Sequence, residues 1–238
     1  MNYDVDIIYE DERLVAVNKP SGLLSSPDRY DPDAPVASRL LEERLGRLWP
    51  VHRLDKDTSG VLVFARDEEA HRELSLAFEG GQVKKRYVTA VKGRPSWTET
   101  VCELPLTPDG DRLHRTIIDG SGKPSATEFT LIHSFGPLSA LEARPRTGRT
   151  HQIRVHLAAL GYPVACDPLY GDGEPIYLSK VKRKWKGDPY GERPLIGRTA
   201  LHALGLELPR PGSGEPMSLE APLPKDLRAL FRQLQVRL

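Results

Sequence analysis

Cysteine occurs only twice in the 238 residues, at Cys102 and Cys166. Two thiols cannot build a disulfide framework, and their scarcity suits a reducing compartment; both read as packing residues. No apolar run approaches the roughly 18 residues that a membrane span needs. The first twenty residues carry acids where a signal peptide needs a basic start and an uninterrupted apolar stretch, so a cytoplasmic location is expected. Charge of one sign is not in excess either: 34 Lys and Arg face 33 Asp and Glu, for a net charge of +1. That balance neither indicates nor excludes a nucleic-acid partner, because the distribution of charge over the surface decides. The sequence also lacks internal repeats and low-complexity tracts. With 39% hydrophobic and 28% charged residues, it has the composition of a globular chain long enough to bury a core without disulfides or metals.

The apolar pattern changes period along the chain. Ile7 to Tyr9 and Leu14 to Val17 flank the acidic Asp11 and Glu12 and read as a hairpin. Val36, Leu40, Leu41 and Leu45 recur at helical spacing, and Asp67 to Phe78 opens with acids and closes at Gly80 and Gly81, as a helix does. Strands rich in β-branched residues follow at Tyr87 to Val91, Glu99 to Leu104, Arg115 to Ile118, Thr127 to His133 and Ala140 to Arg144. The turn Asp119-Gly120-Ser121-Gly122 favours antiparallel connection over β-α-β crossovers. A third helix is expected from about Thr150 to Leu160, with Ile153, Leu157 and Leu160 on one face beside a stripe of His151, Arg154 and Ala158. A strand at Leu201 to Leu208 and a last helix at Lys225 to Leu234 complete the reading. The expected class is α+β, a mixed, largely antiparallel sheet with peripheral helices.

One segment combines turn chemistry with a reactive group. His52-Arg53-Leu54-Asp55-Lys56-Asp57-Thr58-Ser59-Gly60 runs into Val61-Leu62-Val63-Phe64, a buried-strand pattern. Asp57, Thr58, Ser59 and Gly60 favour a tight turn, so Asp55 sits on a loop feeding a rigid strand, a common way to hold a reactive carboxylate still. On this local chemistry alone Asp55 reads first as a turn acid and second as a reactive group.

The run HRLDKDTSG resembles the signature loop of RluA-type pseudouridine synthases, whose aspartate is catalytic. Further segments resemble that family in its own order: Asn18-Lys19-Pro20-Ser21-Gly22-Leu23, Lys85-Arg86-Tyr87, the stretch Arg146 to Leu157, and Leu201-His202-Ala203. The resemblance spans about Ile7 to Leu208 and implies one pseudouridine synthase catalytic domain over residues 1–238. It also implies no separate S4 RNA-binding domain, a basic insertion at about 172–195, and a monomer.

It implies the chemistry as well. The bond from ribose C1′ to uracil N1 breaks, the base rotates, and C5 takes the place of N1, with no net redox change and no metal or organic cofactor. Asp55, Tyr87 and Arg154 are the implied catalytic residues. Asp55 attacks C1′ or C6 as a nucleophile, or takes the C2′ proton to give a glycal; the sequence does not choose. A carboxylate in a dry pocket tends to protonate, and an arginine within about 4 to 6 Å lowers its pKa by roughly 1 to 3 units. Arg154 is implied in that role, with Arg149 as a rival. Tyr87 stacks on the uracil and Leu201 walls the pocket. Arg53 fills the space left by a flipped nucleotide, a task suited to a planar guanidinium, and His52 supports the loop or its RNA contacts.

Three basic clusters are expected to meet the RNA backbone. They are Lys84 to Arg86, the set Arg144, Arg146, Arg149 and Arg154, and the acid-free run holding Lys180, Lys182, Arg183, Lys184 and Lys186. The last, with little apolar surface, is expected to fold over the RNA as a clamp. The implied partner is structured RNA, a ribosomal or transfer RNA stem-loop, and no membrane. Two other readings stand beside this one. A non-catalytic RNA-binding protein of the same fold would be favoured had Asp55, Tyr87 or Arg154 been replaced. A zinc hydrolase would want two histidines four apart on a helix, whereas His151 and His156 are five apart with no glutamate between.

Overall fold

The computed structural model describes residues 3–27, 33–182 and 184–236. In chain order the elements are β1 (Asp6–Glu10), β2 (Leu14–Lys19), α1 (Ala37–Leu45), β3 (Trp49–Pro50), β4 (Ser59–Ala65), α2 (Glu68–Glu79), β5 (Lys84–Lys92) and β6 (Glu99–Cys102). They continue with β7 (Leu106–Thr107), β8 (Ile117–Ile118), β9 (Thr127–Phe135), β10 (Leu138–Pro145), α3 (Gln152–Ala159), α4 (Leu178–Val181), β11 (Leu201–Pro209), β12 (Pro216–Glu220) and α5 (Lys225–Gln233). The expected α+β class, mixed and largely antiparallel, is what the strands form. Two compact units share the chain, which passes between them inside β5, after Arg86, inside β11, after Leu201, and again after Pro222.

In the first unit, β2 pairs antiparallel with β1 and with β4, and β4 runs parallel to β11 at His202 opposite Ser59 and Ala203 opposite Gly60. β12 adds antiparallel to β11, and β3 pairs with the far end of β4, Trp49 opposite Ala65. Every residue of β4 is buried, which explains its unbroken apolar run: a strand covered on both faces has no polar side to show. Leu14, Val61, Val63, Leu74, Leu206 and Leu219 form the core, and each fully buried side chain of this size contributes about 1.5–3 kcal/mol. Leu74 belongs to α2, whose N-cap Asp67 accepts from the Ala70 N–H at 2.8 Å with Glu68 and Glu69 in the first turn. This capping and charge pattern is the one the sequence shows.

In the second unit β5, β10, β9 and β6 form an antiparallel series, and β7 pairs with β8 in a separate ribbon. The Asp119 turn closes with Gly122 N–H donating to the Asp119 carbonyl and sends Lys123 back onto Leu106. The third helix departs from the one-sided pattern expected of it: Gln152 through Leu157 are all buried. The polar members of this buried run find partners. His156 meets Thr127, Ser125 and the Leu104 carbonyl at 3.0 to 3.1 Å, and Gln152 donates to Thr127 Oγ1 at 2.8 Å.

The basic segment is less bare than its composition suggests. Ile176, Val181 and Ile196 are buried, Ile176 bridges to Ile196, and α4 forms a short helix whose Ser179 N–H donates to Glu192. This corrects the expectation of little apolar burial there. Among the described residues no helix is long and apolar enough to cross a membrane.

Candidate active site

The Asp55 loop is pinned from below by the segment that ends β2. Ser25 Oγ accepts from the Leu54 N–H at 3.0 Å and donates to the Leu54 carbonyl at 2.9 Å. The ammonium of Lys19, wholly buried, donates to the carbonyls of Lys56, Leu23 and Pro20 at 2.7 to 3.0 Å. The Gly22 N–H also reaches the Lys56 carbonyl, at 2.8 Å. Ser21 Oγ donates to the Asp57 carbonyl, and Thr58 N–H closes the turn on the Asp55 carbonyl at 3.1 Å. Each backbone carbonyl from 54 to 57 is therefore held, and Leu54 is buried beside a part-exposed Asp55 and an exposed Arg53.

Both ends of the loop are anchored by histidines. At the near end His52 Nε2 accepts from the Val63 N–H at 3.0 Å, which puts the ring proton on Nδ1, and the ring stacks on Phe78 with centroids 4.6 Å apart. Burial, and then the charge of Lys85, push its pKa down to about 3. The ring is therefore uncharged near neutral pH. At the far end His202 Nε2 donates to the Ala221 carbonyl at 3.2 Å, and Nδ1 pairs with Ser59 Oγ at 2.9 Å.

Tyr87, Arg154, Arg149 and Leu201 belong to the second unit. Tyr87 lies in β5 opposite Ala143 and is part-exposed. Leu201 is 2% exposed and follows Ala200, whose carbonyl accepts from Thr89 Oγ1 and the Ala90 N–H. Arg154 is buried. Its Nε and Nη2 donate to the two oxygens of the fully buried Asp167 at 2.7 and 2.8 Å, and its Cζ lies 5.1 Å from the Tyr170 ring centre. Arg149, the rival, is exposed and donates from Nε to the Pro124 carbonyl.

The basic clusters are more diluted than the sequence suggests. Lys84 pairs with Glu207 and Arg86 with Glu220, while Arg144 pairs with Glu142 and Arg146 with Glu128. Such exposed pairs stabilise little, but they place carboxylates among the cations of these two clusters. Lys182 and Lys184 are exposed, Lys85 is part-exposed, and Arg183 lies outside the described residues. An open groove of about 790 Å³, lined by Glu12, Arg47, Trp49 and Arg66 among others, includes none of residues 52–60. Among the described residues no group of three His, Cys, Asp or Glu side chains could hold a metal.

Residues 13–159 match the family model described as RNA pseudouridylate synthase. The chain is 33% identical to ribosomal large subunit pseudouridine synthase D of Zymomonas mobilis, over 98% of this chain and 73% of that one. It is 36% identical to the dual-specificity RNA pseudouridine synthase RluA of Escherichia coli O157:H7, over 91% and 92%. The solved structure of human RNA Pseudouridylate Synthase Domain Containing 1 superimposes with a TM-score of 0.71 at 26% identity, covering 93% of this chain and 84% of that one. The protein is an RNA-modifying isomerase; it belongs to the RNA pseudouridylate synthase family, among relatives of the RluA type.

Proposed function

We propose that this isomerase converts uridine to pseudouridine in a structured ribosomal or transfer RNA, with Asp55 as the catalytic carboxylate. The target base is flipped from its stack, at roughly a few kcal/mol, and Arg53 fills the vacated space. Asp55 acts on the ribose or the base as the C1′–N1 bond breaks. The detached uracil turns against Tyr87 and Leu201 and rejoins through C5, which then loses its proton. Arg154 is the third catalytic residue and supplies a positive charge to the reaction. Lys85, Arg149, Lys182, Arg183 and Lys184 contact the RNA backbone, and the enzyme acts as a monomer in the cytoplasm. The observation that carries this reading is the fixing of every carbonyl from Leu54 to Asp57 around one part-exposed carboxylate. A turn acid without a task needs no such support.

The test is pseudouridine mapping of ribosomal and transfer RNA from a strain lacking the gene, complemented with the wild type or with Asp55→Ala. One or more sites return with the wild type and none with the variant. Return of the sites with Asp55→Ala overturns the assignment. A phenotype rescued by both, with no site changed, favours the RNA-binding reading.

A further inference from the structure

Arg154 sits in a setting more elaborate than a buried ion pair requires. Its partner Asp167 is itself fixed, because Oδ1 also accepts from the N–H groups of Leu169 and Tyr170 at 2.9 and 3.2 Å. Burial pushes that carboxyl up, but the Arg154 hydrogen bonds and charge, with the two backbone donors, bring it below its usual range, so it is ionised. Tyr170 presents its ring to one face of the guanidinium. Its hydroxyl is tethered in turn: it accepts from the Thr116 N–H at 3.0 Å and pairs with His151 Nδ1 at 2.9 Å. His151 stands at the N-cap of α3 with φ of 53°, a left-handed conformation uncommon outside glycine. Its side chain makes no cap there. Behind the loop, Arg115 donates to the Leu169 carbonyl and to Asp111.

We propose that Asp167, Tyr170 and His151 are positioning residues for the isomerisation, forming a cradle that fixes the plane and direction of the Arg154 guanidinium. The proposal rests on the reading of Arg154 as a catalytic residue. Asp167 already balances the arginine's charge, so what Arg154 offers a reacting group depends on the direction of its guanidinium rather than on long-range attraction. Direction therefore matters. A bidentate carboxylate fixes the plane, and an aromatic ring on one face stops the plane from tilting. A buried ion pair is seldom more stable than an apolar replacement, and left-handed strain at a non-glycine residue gathers at functional sites. Both observations fit an arrangement kept for its geometry.

The experiment compares wild type, Tyr170→Leu, Arg154→Lys and the double variant in single-turnover pseudouridine formation. The substrate is ribosomal and transfer RNA from a strain lacking the gene. Misplacing a catalytic group by an ångström costs up to about 100-fold, so Tyr170→Leu is expected to be roughly 10- to 100-fold slower at saturating RNA. Half-saturation should move by less than about 3-fold, as for an interaction used in the transition state only. The double variant should be no slower than Arg154→Lys alone.

A folded Tyr170→Leu enzyme with the wild-type rate overturns the proposal, as does a loss that multiplies in the double variant. If Tyr170→Leu does not fold, Tyr170→Phe and His151→Gln replace it. Slower turnover that adds nothing to Arg154→Lys supports the cradle, and wild-type rates in both refute it. A wild-type rate in Arg154→Lys itself removes the role assigned to Arg154, and the cradle with it, whereas loss in Arg154→Lys alone removes only the cradle.

Discussion

Ser25 Oγ holds both polar backbone atoms of Leu54, the residue before Asp55, accepting from its N–H and donating to its carbonyl. One hydroxyl thereby replaces a stretch of sheet ladder at a place where the chain has left the sheet. The site is buried, with Ser25 at 3% exposure, so water cannot take over if the hydroxyl is removed.

Ser25→Ala is accordingly expected to destabilise the protein by about 1–3 kcal/mol, the penalty of buried backbone groups losing their partner. The rate of pseudouridine formation should fall together with the stability, since the same contact steadies Asp55. Urea denaturation and a single-turnover assay on one preparation check both. Unchanged stability would show that the loop keeps its shape without the clamp.

Stability should fall as the solution is acidified through the histidine range. The pKa of His52 is about 3 in the folded protein against an ordinary 6.5, so below 6.5 the unfolded chain takes up a proton that the folded chain refuses. The contribution is fully present above pH 6.5 and is lost progressively toward pH 3. Between neutrality and about pH 5 the loss is on the order of 2 kcal/mol. His156, which burial also pushes down, adds in the same direction. The pH dependence of urea midpoints should be shallower in His52→Gln than in the wild type.

Gly60 marks where β4 meets β11. Its φ is +121°, and a Cβ there would stand 2.1 Å from the Ala203 carbonyl oxygen and 2.7 Å from that residue's backbone N and C. Backbone cannot rotate aside as a side chain can, so Gly60→Ala should cost more than about 3 kcal/mol and yield little folded protein. Thermal denaturation and soluble yield measure it, and a variant within about 1 kcal/mol of wild type would show that the strands can separate there.

How much of this is legible in the sequence follows contact range. The hairpin, α1, α2, β4 and α5 announce themselves through local period and capping, and the Asp55 loop through turn residues on consecutive positions. The Arg154 pair does not, because Asp167 lies 13 residues away; an acid directly after the apolar run from Val164 to Cys166 was the one available signal. The strand β12 offers only Met217 and Leu219 as buried positions, too few to define a period. The carboxylates that interleave with the basic clusters, Glu207, Glu220 and Glu128, are not visible beside them in the sequence because they come from other strands. The clamp of Lys19, Ser21 and Ser25 lies in or beside a segment noticed for its resemblance, yet its task appears only when its partners at 54, 56 and 57 are brought under it.

The account stands on Asp55 as the group that does the chemistry, and Asp55→Asn tests it most directly, because the amide keeps the size and the loop while removing the negative charge. In a single-turnover assay on RNA from a strain lacking the gene, the variant should bind that RNA about as tightly as the wild type and form no pseudouridine. Pseudouridine formation by purified Asp55→Asn at a rate near that of the wild type would contradict the account.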